Sequence, residues 1–144
     1  MSATHLREVP VARVLVVDDE ENQVRLLVAA LCNEGFETSG TRDPEAVLEM
    51  LGRATTDVAL VDLMMPGLNG IELARKIRDA FPAVRVILTS AYHLSERQLS
   101  RADCGVVGFV PKPYVVPELA EFLRAKIARA TPVPPQSASR LCAS

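Results

Sequence analysis

Five short runs of β-branched and other apolar residues recur along the chain, and a helical pattern follows each one. The runs are Arg13 to Val17, Phe36 to Gly40, Val58 to Val61, Val84 to Thr89 and Val106 to Val110. Runs of this length without polar alternation suit strands buried on both faces. Phe36 to Gly40 is the most polar and reads as an edge strand. A βα unit repeated five times implies a parallel sheet with helices on both faces. The expected fold class is therefore α/β, a doubly wound (βα)5 parallel five-stranded sheet.

The helical patterns carry their own punctuation. Val24, Leu27, Val28 and Leu31 fall at i, i+3, i+4 and i+7 and make one apolar face, with Gly35 placed to end the helix. Asp43 is positioned to cap a second helix, with Pro44 at its first position. Ile71, Ala74 and Ile77 mark a third helix that ends before Pro82. Leu119, Phe122, Leu123 and Ile127 mark the last, opened by Pro117. The fourth pattern begins with a capping box, Ser95 to Gln98, and offers only Leu94, Leu99 and Ala102 for packing. A helix so weakly anchored is expected to be loosely held.

The 144 residues suit one domain. Residues 1–11 read as an N-terminal arm, 12–130 as the folded domain, and 131–144 as a Pro/Ser-rich disordered tail. No second domain is expected. The formal net charge of −2 gives no push toward nucleic acid or an anionic membrane. No apolar run approaches a membrane span, and the first ten residues lack the apolar centre of a signal peptide. Cys32, Cys104 and Cys142 form no metal or redox pattern, so a cytoplasmic setting is expected.

Parallel strands direct their C-terminal ends to one edge, where open α/β sheets bind ligands. Here the first run ends in Asp18 and Asp19, the third in Asp62, the fourth in Ser90 and the fifth in Lys112. Three carboxylates brought together repel one another, so either a pKa rises or a cation binds. Oxygen donors of this kind suit Mg²⁺. The acidic turn "DDEEN" argues against a loop that cradles phosphate directly, so phosphate would reach this edge only through a metal and Lys112.

The stretches "VLVVDDEE", "VALVDLMMPGLNGIEL", "VILTSA" and "GFVPKPY", in this order, resemble the receiver domains of two-component response regulators over roughly Arg13 to Ala130. The resemblance implies the flavodoxin-like strand order 2-1-3-4-5. It implies that Asp62 is a phosphoacceptor, taking phosphate from a phosphohistidine on a sensor histidine kinase or phosphotransfer protein. Asp19, Asp62 and the backbone carbonyl of Met64 would then ligate Mg²⁺ or Mn²⁺, with Asp18 acting through water. Lys112 would pair with Asp62 and then with the phosphoryl group, and Ser90 would hydrogen-bond it. Phe109 stands at the family's aromatic switch position, where Tyr is frequent. Met64 and Tyr92 stand at positions that affect phosphoryl lifetime, and the bulk of Tyr92 implies a long one. A cis Lys112–Pro113 bond is implied as well.

By the same resemblance, the fourth helix, fifth strand and fifth helix form the face for a downstream protein target or a homodimer, on or near Glu96, Arg97, Arg101, Glu121 and Arg124. The protein would be no enzyme beyond its own phosphorylation and dephosphorylation. Plainer readings stand beside these: Phe109 as a core aromatic, Ser90 as a strand-end hydroxyl, and His93 as a loop residue. A pseudo-receiver that binds partners without phosphorylation is the alternative function, and the complete set of Asp18, Asp19, Asp62, Ser90 and Lys112 argues against it. An aspartate-dependent phosphatase would need an Asp-x-Asp pattern that is missing here. A flavodoxin-like carrier would need aromatics around its flavin, and aromatic residues are only 4% of the chain, with no Trp.

Overall fold

The alternation of strand and helix signals is realised in a computed structural model that describes residues 11–65, 69–91, 97–98 and 104–130. The elements are β1 (Arg13–Val17), α1 (Glu21–Asn33), β2 (Glu37–Thr41), a 3₁₀ turn (Pro44–Ala46) running into α2 (Val47–Arg53), β3 (Val58–Asp62), α3 (Gly70–Ala80), β4 (Arg85–Ser90), β5 (Gly108–Pro111) and a C-terminal helix α4 (Val116–Ala130). All pairings are parallel, in the order β2-β1-β3-β4-β5. The fourth helical pattern of the sequence lies outside the described residues, apart from Arg97 and Gln98. Among the described residues no helix is long and apolar enough to cross a membrane.

The unbroken apolar runs follow from burial on both faces. Leu15, Val17, Ala59, Val61, Val86 and Leu88 pack with Val47, Leu51, Leu73, Ala74 and Ile77 of α2 and α3. Their neighbours Val14, Val16, Val58, Leu60 and Ile87 face the other way, onto Leu27 and Leu31 of α1 and Leu119, Ala120 and Leu123 of α4. Every residue of β3 is buried. The polar strand β2 is an edge, as its composition implies, and β5, which carries Pro111, is the other.

Strand ends differ from the sequence expectation by one or two residues, for local reasons. Phe36 does not open β2, because it closes α1. Gly35 turns the chain with φ +100°, the Gly35 N–H donates to the Cys32 carbonyl, and the Phe36 N–H donates back to the Leu31 carbonyl. This is the Schellman closure of a helix. Asp43 caps as expected through Oδ1, but the first turn is 3₁₀ before α2 proper begins. The α3 cap is Asn69, whose side chain accepts from the Glu72 N–H.

Arg124, expected on or near a partner-binding face, stays partly exposed on α4 while making contacts within the chain. Its guanidinium donates to the carbonyl and carboxylate of Glu34 and lies over the Phe36 ring, tying α4 to the end of α1.

Candidate functional site

The parallel register brings the C-terminal ends of the strands to one edge: Val17 lies beside Thr41 and Val61, Asp62 beside Thr89, and Ser90 beside Pro111. One residue beyond β1, the Asp18 N–H donates to the Thr41 carbonyl, which carries the acidic turn off the sheet. The Asp18 carboxylate folds back to accept the Glu20 N–H at 3.0 Å, shaping the start of α1. The Leu63 N–H donates to the Thr89 carbonyl, and the Gly70 N–H to the Leu63 carbonyl, which fixes the chain on either side of Asp62. Pro111 has no N–H to give to β4, and the next residue supplies the bond: the Lys112 N–H donates to the Ser90 carbonyl at 2.8 Å. The Lys112–Pro113 bond is cis.

Carboxylate oxygens of Asp18, Asp19 and Asp62 therefore lie within 4.8 Å of one another, an arrangement able to hold a metal ion. Asp18, Asp62 and Ser90 are buried, whereas Asp19 is half-buried at the rim. The Lys112 ammonium enters this group, 2.9 Å from Asp18 Oδ2 and 3.7 Å from Asp62 Oδ1. Its closer partner is thus Asp18, where the resemblance led us to expect Asp62.

Burial raises the pKa of Asp62. Lys112 lowers it, Asp18 raises it, a hydrogen bond from the Met64 N–H lowers it, and Asp19 raises it, leaving a net upward shift. Burial works against the Lys112 ammonium, but the hydrogen bond and charge of Asp18, with the charge of Asp62, outweigh it and raise its pKa. Burial also raises the pKa of Tyr114, which lies within the electrostatic reach of the same three groups.

Five residues expected at the site, Asp18, Asp19, Asp62, Ser90 and Lys112, converge on this edge. Met64 reaches the site through its N–H, which hydrogen-bonds the Asp62 carboxylate, and the residue is more than half exposed. Phe109 is half-buried against the α2–α3 side of the core and also lines a groove of about 310 Å³ with Val110, Pro111, Tyr114, Leu119 and Phe122. Tyr92 lies outside the described residues. The sequence reading missed Arg42, just past the end of β2. It donates through Nε to the Asp19 carbonyl and approaches Glu21. Its position directly after a strand was the available signal.

The three carboxylates and the ammonium make a group of hard oxygen donors with one resident cation. It can bind a divalent metal and stabilise an anionic group attached to Asp62. Residues 14–124 match the family model described as the response regulator receiver domain. The sensory transduction protein RegX3 of Mycobacterium tuberculosis (strain ATCC 25618 / H37Rv) is 35% identical over 116 residues, covering 81% of this chain and 51% of its own length. The regulatory protein AtoC of Escherichia coli (strain K12) is 35% identical over 107 residues, 74% of this chain and 23% of its own length. This chain thus spans about half the length of one of these relatives and about a quarter of the other. The response regulator protein TrrA of Thermotoga maritima, solved in complex with Mg(2+)-BeF, superposes with a TM-score of 0.70 at 32% identity, covering 81% of this chain and 98% of that one.

Proposed function

The chain belongs to the response regulator receiver domain family of two-component systems, and from that premise we propose that it takes a phosphoryl group onto Asp62 and alters a protein-binding face in response. The convergence of three carboxylates within 4.8 Å around a buried Asp62, with the Lys112 ammonium 3.7 Å away, carries this reading. The donor is the phosphohistidine of a sensor histidine kinase or a phosphotransfer protein.

The donor set fits Mg²⁺, with Mn²⁺ as a substitute: Asp19, Asp62 and the Met64 carbonyl would hold it, and Asp18 through water. Bound there, the metal supplies charge neutralisation and orientation for the phosphoryl group. A carboxylate oxygen of Asp62 attacks phosphorus, the P–N bond to the donor imidazole breaks, and its electron pair leaves with the imidazole. The aspartyl phosphate adds charge to a buried acidic site. Lys112, already between Asp18 and Asp62, pairs with a phosphoryl oxygen, and the Ser90 hydroxyl donates to another. Drawing Ser90 inward shifts the end of β4, next to β5 and Phe109. The apolar groove between β5 and α4 supports a face for a downstream protein or a second copy. This domain acts in the cytoplasm, and the net charge of −2 suits protein partners rather than nucleic acid or an anionic membrane.

Incubation with Mg²⁺ and acetyl phosphate, followed by intact-mass spectrometry, tests this. One added phosphoryl group is expected on the wild type and none on Asp62→Asn. No adduct on the wild type would leave a pseudo-receiver as the better reading.

A further inference from the structure

The acidic turn after β1 has a second support besides Lys112, and it comes from the edge strand. Residues 41–42 hold residues 18–21 at three points. The Asp18 N–H donates to the Thr41 carbonyl at 3.3 Å, Arg42 Nε donates to the Asp19 carbonyl at 3.3 Å, and Arg42 Nη1 lies 3.7 Å from Glu21 Oε1. The Arg42 backbone is itself pinned. The Asp43 N–H donates to Thr41 Oγ1 at 3.0 Å, and Asp43 Oδ1 accepts the Glu45 N–H at 3.0 Å. Glu21 also faces Arg25 at 3.8 Å, so its charge does not depend on Arg42 alone. The contact peculiar to Arg42 is the bond to the Asp19 carbonyl.

That bond bears on the least buried of the three carboxylates. Lys112 holds Asp18, and the Met64 N–H holds Asp62, each inside the site. Asp19 is at the rim, and the peptide that carries it is fixed from outside by Arg42. We propose that Arg42 is a positioning residue for divalent-metal binding, orienting Asp19 toward Asp18 and Asp62 through its backbone carbonyl. The inference rests on the receiver reading, because it takes the acidic edge to be a metal site.

Two effects of Arg42 oppose each other, and their sizes decide the outcome. As a cation it repels an incoming metal, but an exposed charge beyond the first ligands is screened to less than about threefold in affinity, and less still as salt rises. As an outer-shell support its loss costs metal affinity, with about tenfold at the lower end for such contacts. Positioning therefore outweighs repulsion, and removing Arg42 weakens binding even though it removes a positive charge.

Isothermal titration of Mg²⁺ into wild type, Arg42→Ala, Arg42→Gln and Arg42→Lys, at 0.15 and 0.5 M salt, separates the two. The Gln amide nitrogen sits where Arg Nε does, so Arg42→Gln keeps the donor and loses the charge. Arg42→Lys keeps the charge and moves the donor one atom outward. We expect Arg42→Ala to bind about tenfold more weakly, Arg42→Gln to stay within about twofold of wild type, and Arg42→Lys to follow Ala, at both salt concentrations. Melting curves without metal confirm that each variant is folded. Wild-type affinity or tighter in Arg42→Ala overturns the proposal, as does Arg42→Gln as weak as Arg42→Ala. A wild-type protein that takes up no Mg²⁺ overturns the receiver reading together with it.

Discussion

At Asp62, burial raises the carboxyl above its ordinary value of 3.8, and Asp18 and Asp19 add to the shift against the pull of Lys112 and the Met64 N–H. The folded state therefore holds this proton more tightly than the unfolded one. The sign follows from linkage: stability falls as pH rises from 3.8 through the folded pKa, and the penalty is complete above it. Asp62→Asn removes the penalty. In chelator-treated protein at pH 7 it should raise Tm by a few degrees, a gain that shrinks toward zero by about pH 3.5. The same gain at both pH values would mean that something other than this carboxyl is responsible. Lys112 gives the opposite result. Its removal leaves Asp18 and Asp62 buried and facing each other, so Lys112→Met should cost about 2–4 kcal/mol in metal-free urea denaturation. Saturating Mg²⁺ should then restore more stability to Lys112→Met than it adds to wild type, because the metal replaces a missing counter-charge. Equal gains in the two proteins would show that Lys112 and the metal do not serve the same carboxylates.

At the scale of elements, α3 meets the end of β3 closely enough to decide which residue opens the helix. A Cβ on Gly70 would come 2.6 Å from the Asp62 carbonyl oxygen and 2.8 Å from Leu63 Cα. Both atoms are backbone, so neither can swing aside. Gly70→Ala should cost about 1–3 kcal/mol and slow acquisition of the phosphoryl group, since the peptide that must shift is the one bearing Asp62. Asn69→Ala, which removes only the cap, should cost about 1 kcal/mol and leave the adduct rate unchanged. Urea denaturation and a time course of intact mass measure both, and equal rates in the two variants would remove the steric link. Gly70 also marks a limit of sequence reading. Ile71, Ala74 and Ile77 identify α3, yet the side it buries is Gly70, Leu73, Ala74 and Ile77, with Ile71 only partly covered. The period locates the helix. The close approach at its first turn depends on where β3 ends in space, which no local pattern encodes.

For the whole molecule, what the sequence makes legible follows from direction. Once all strands are parallel, residues at or just past their C-terminal ends must share one edge, so Asp18, Asp19, Asp62, Ser90 and Lys112 group together from the sequence alone. The strand order needed the family resemblance, because five similar βα units can be wound in more than one order. Distances between loops were not legible, which is why Lys112 was expected on Asp62 and lies nearer Asp18, and why Arg42 went unnoticed. These contacts join residues far apart in the chain and brought close by the register alone. The same register couples the site to global stability, since the acidic edge draws on residues at or just past the ends of β1, β3 and β5. A ligand that binds only the folded arrangement stabilises the whole domain by mass action. At ten times its Kd, Mg²⁺ should add about 1.4 kcal/mol, or about 4–7 °C in Tm for a domain of this size. Asp19→Asn should abolish most of that rise. NaCl at matched ionic strength should produce little of it in wild type, because screening eases repulsion among exposed charges more than among buried ones. A rise that NaCl reproduces, or that Asp19→Asn retains, would reduce the acidic edge to a cluster of repelling charges and remove the metal from the mechanism.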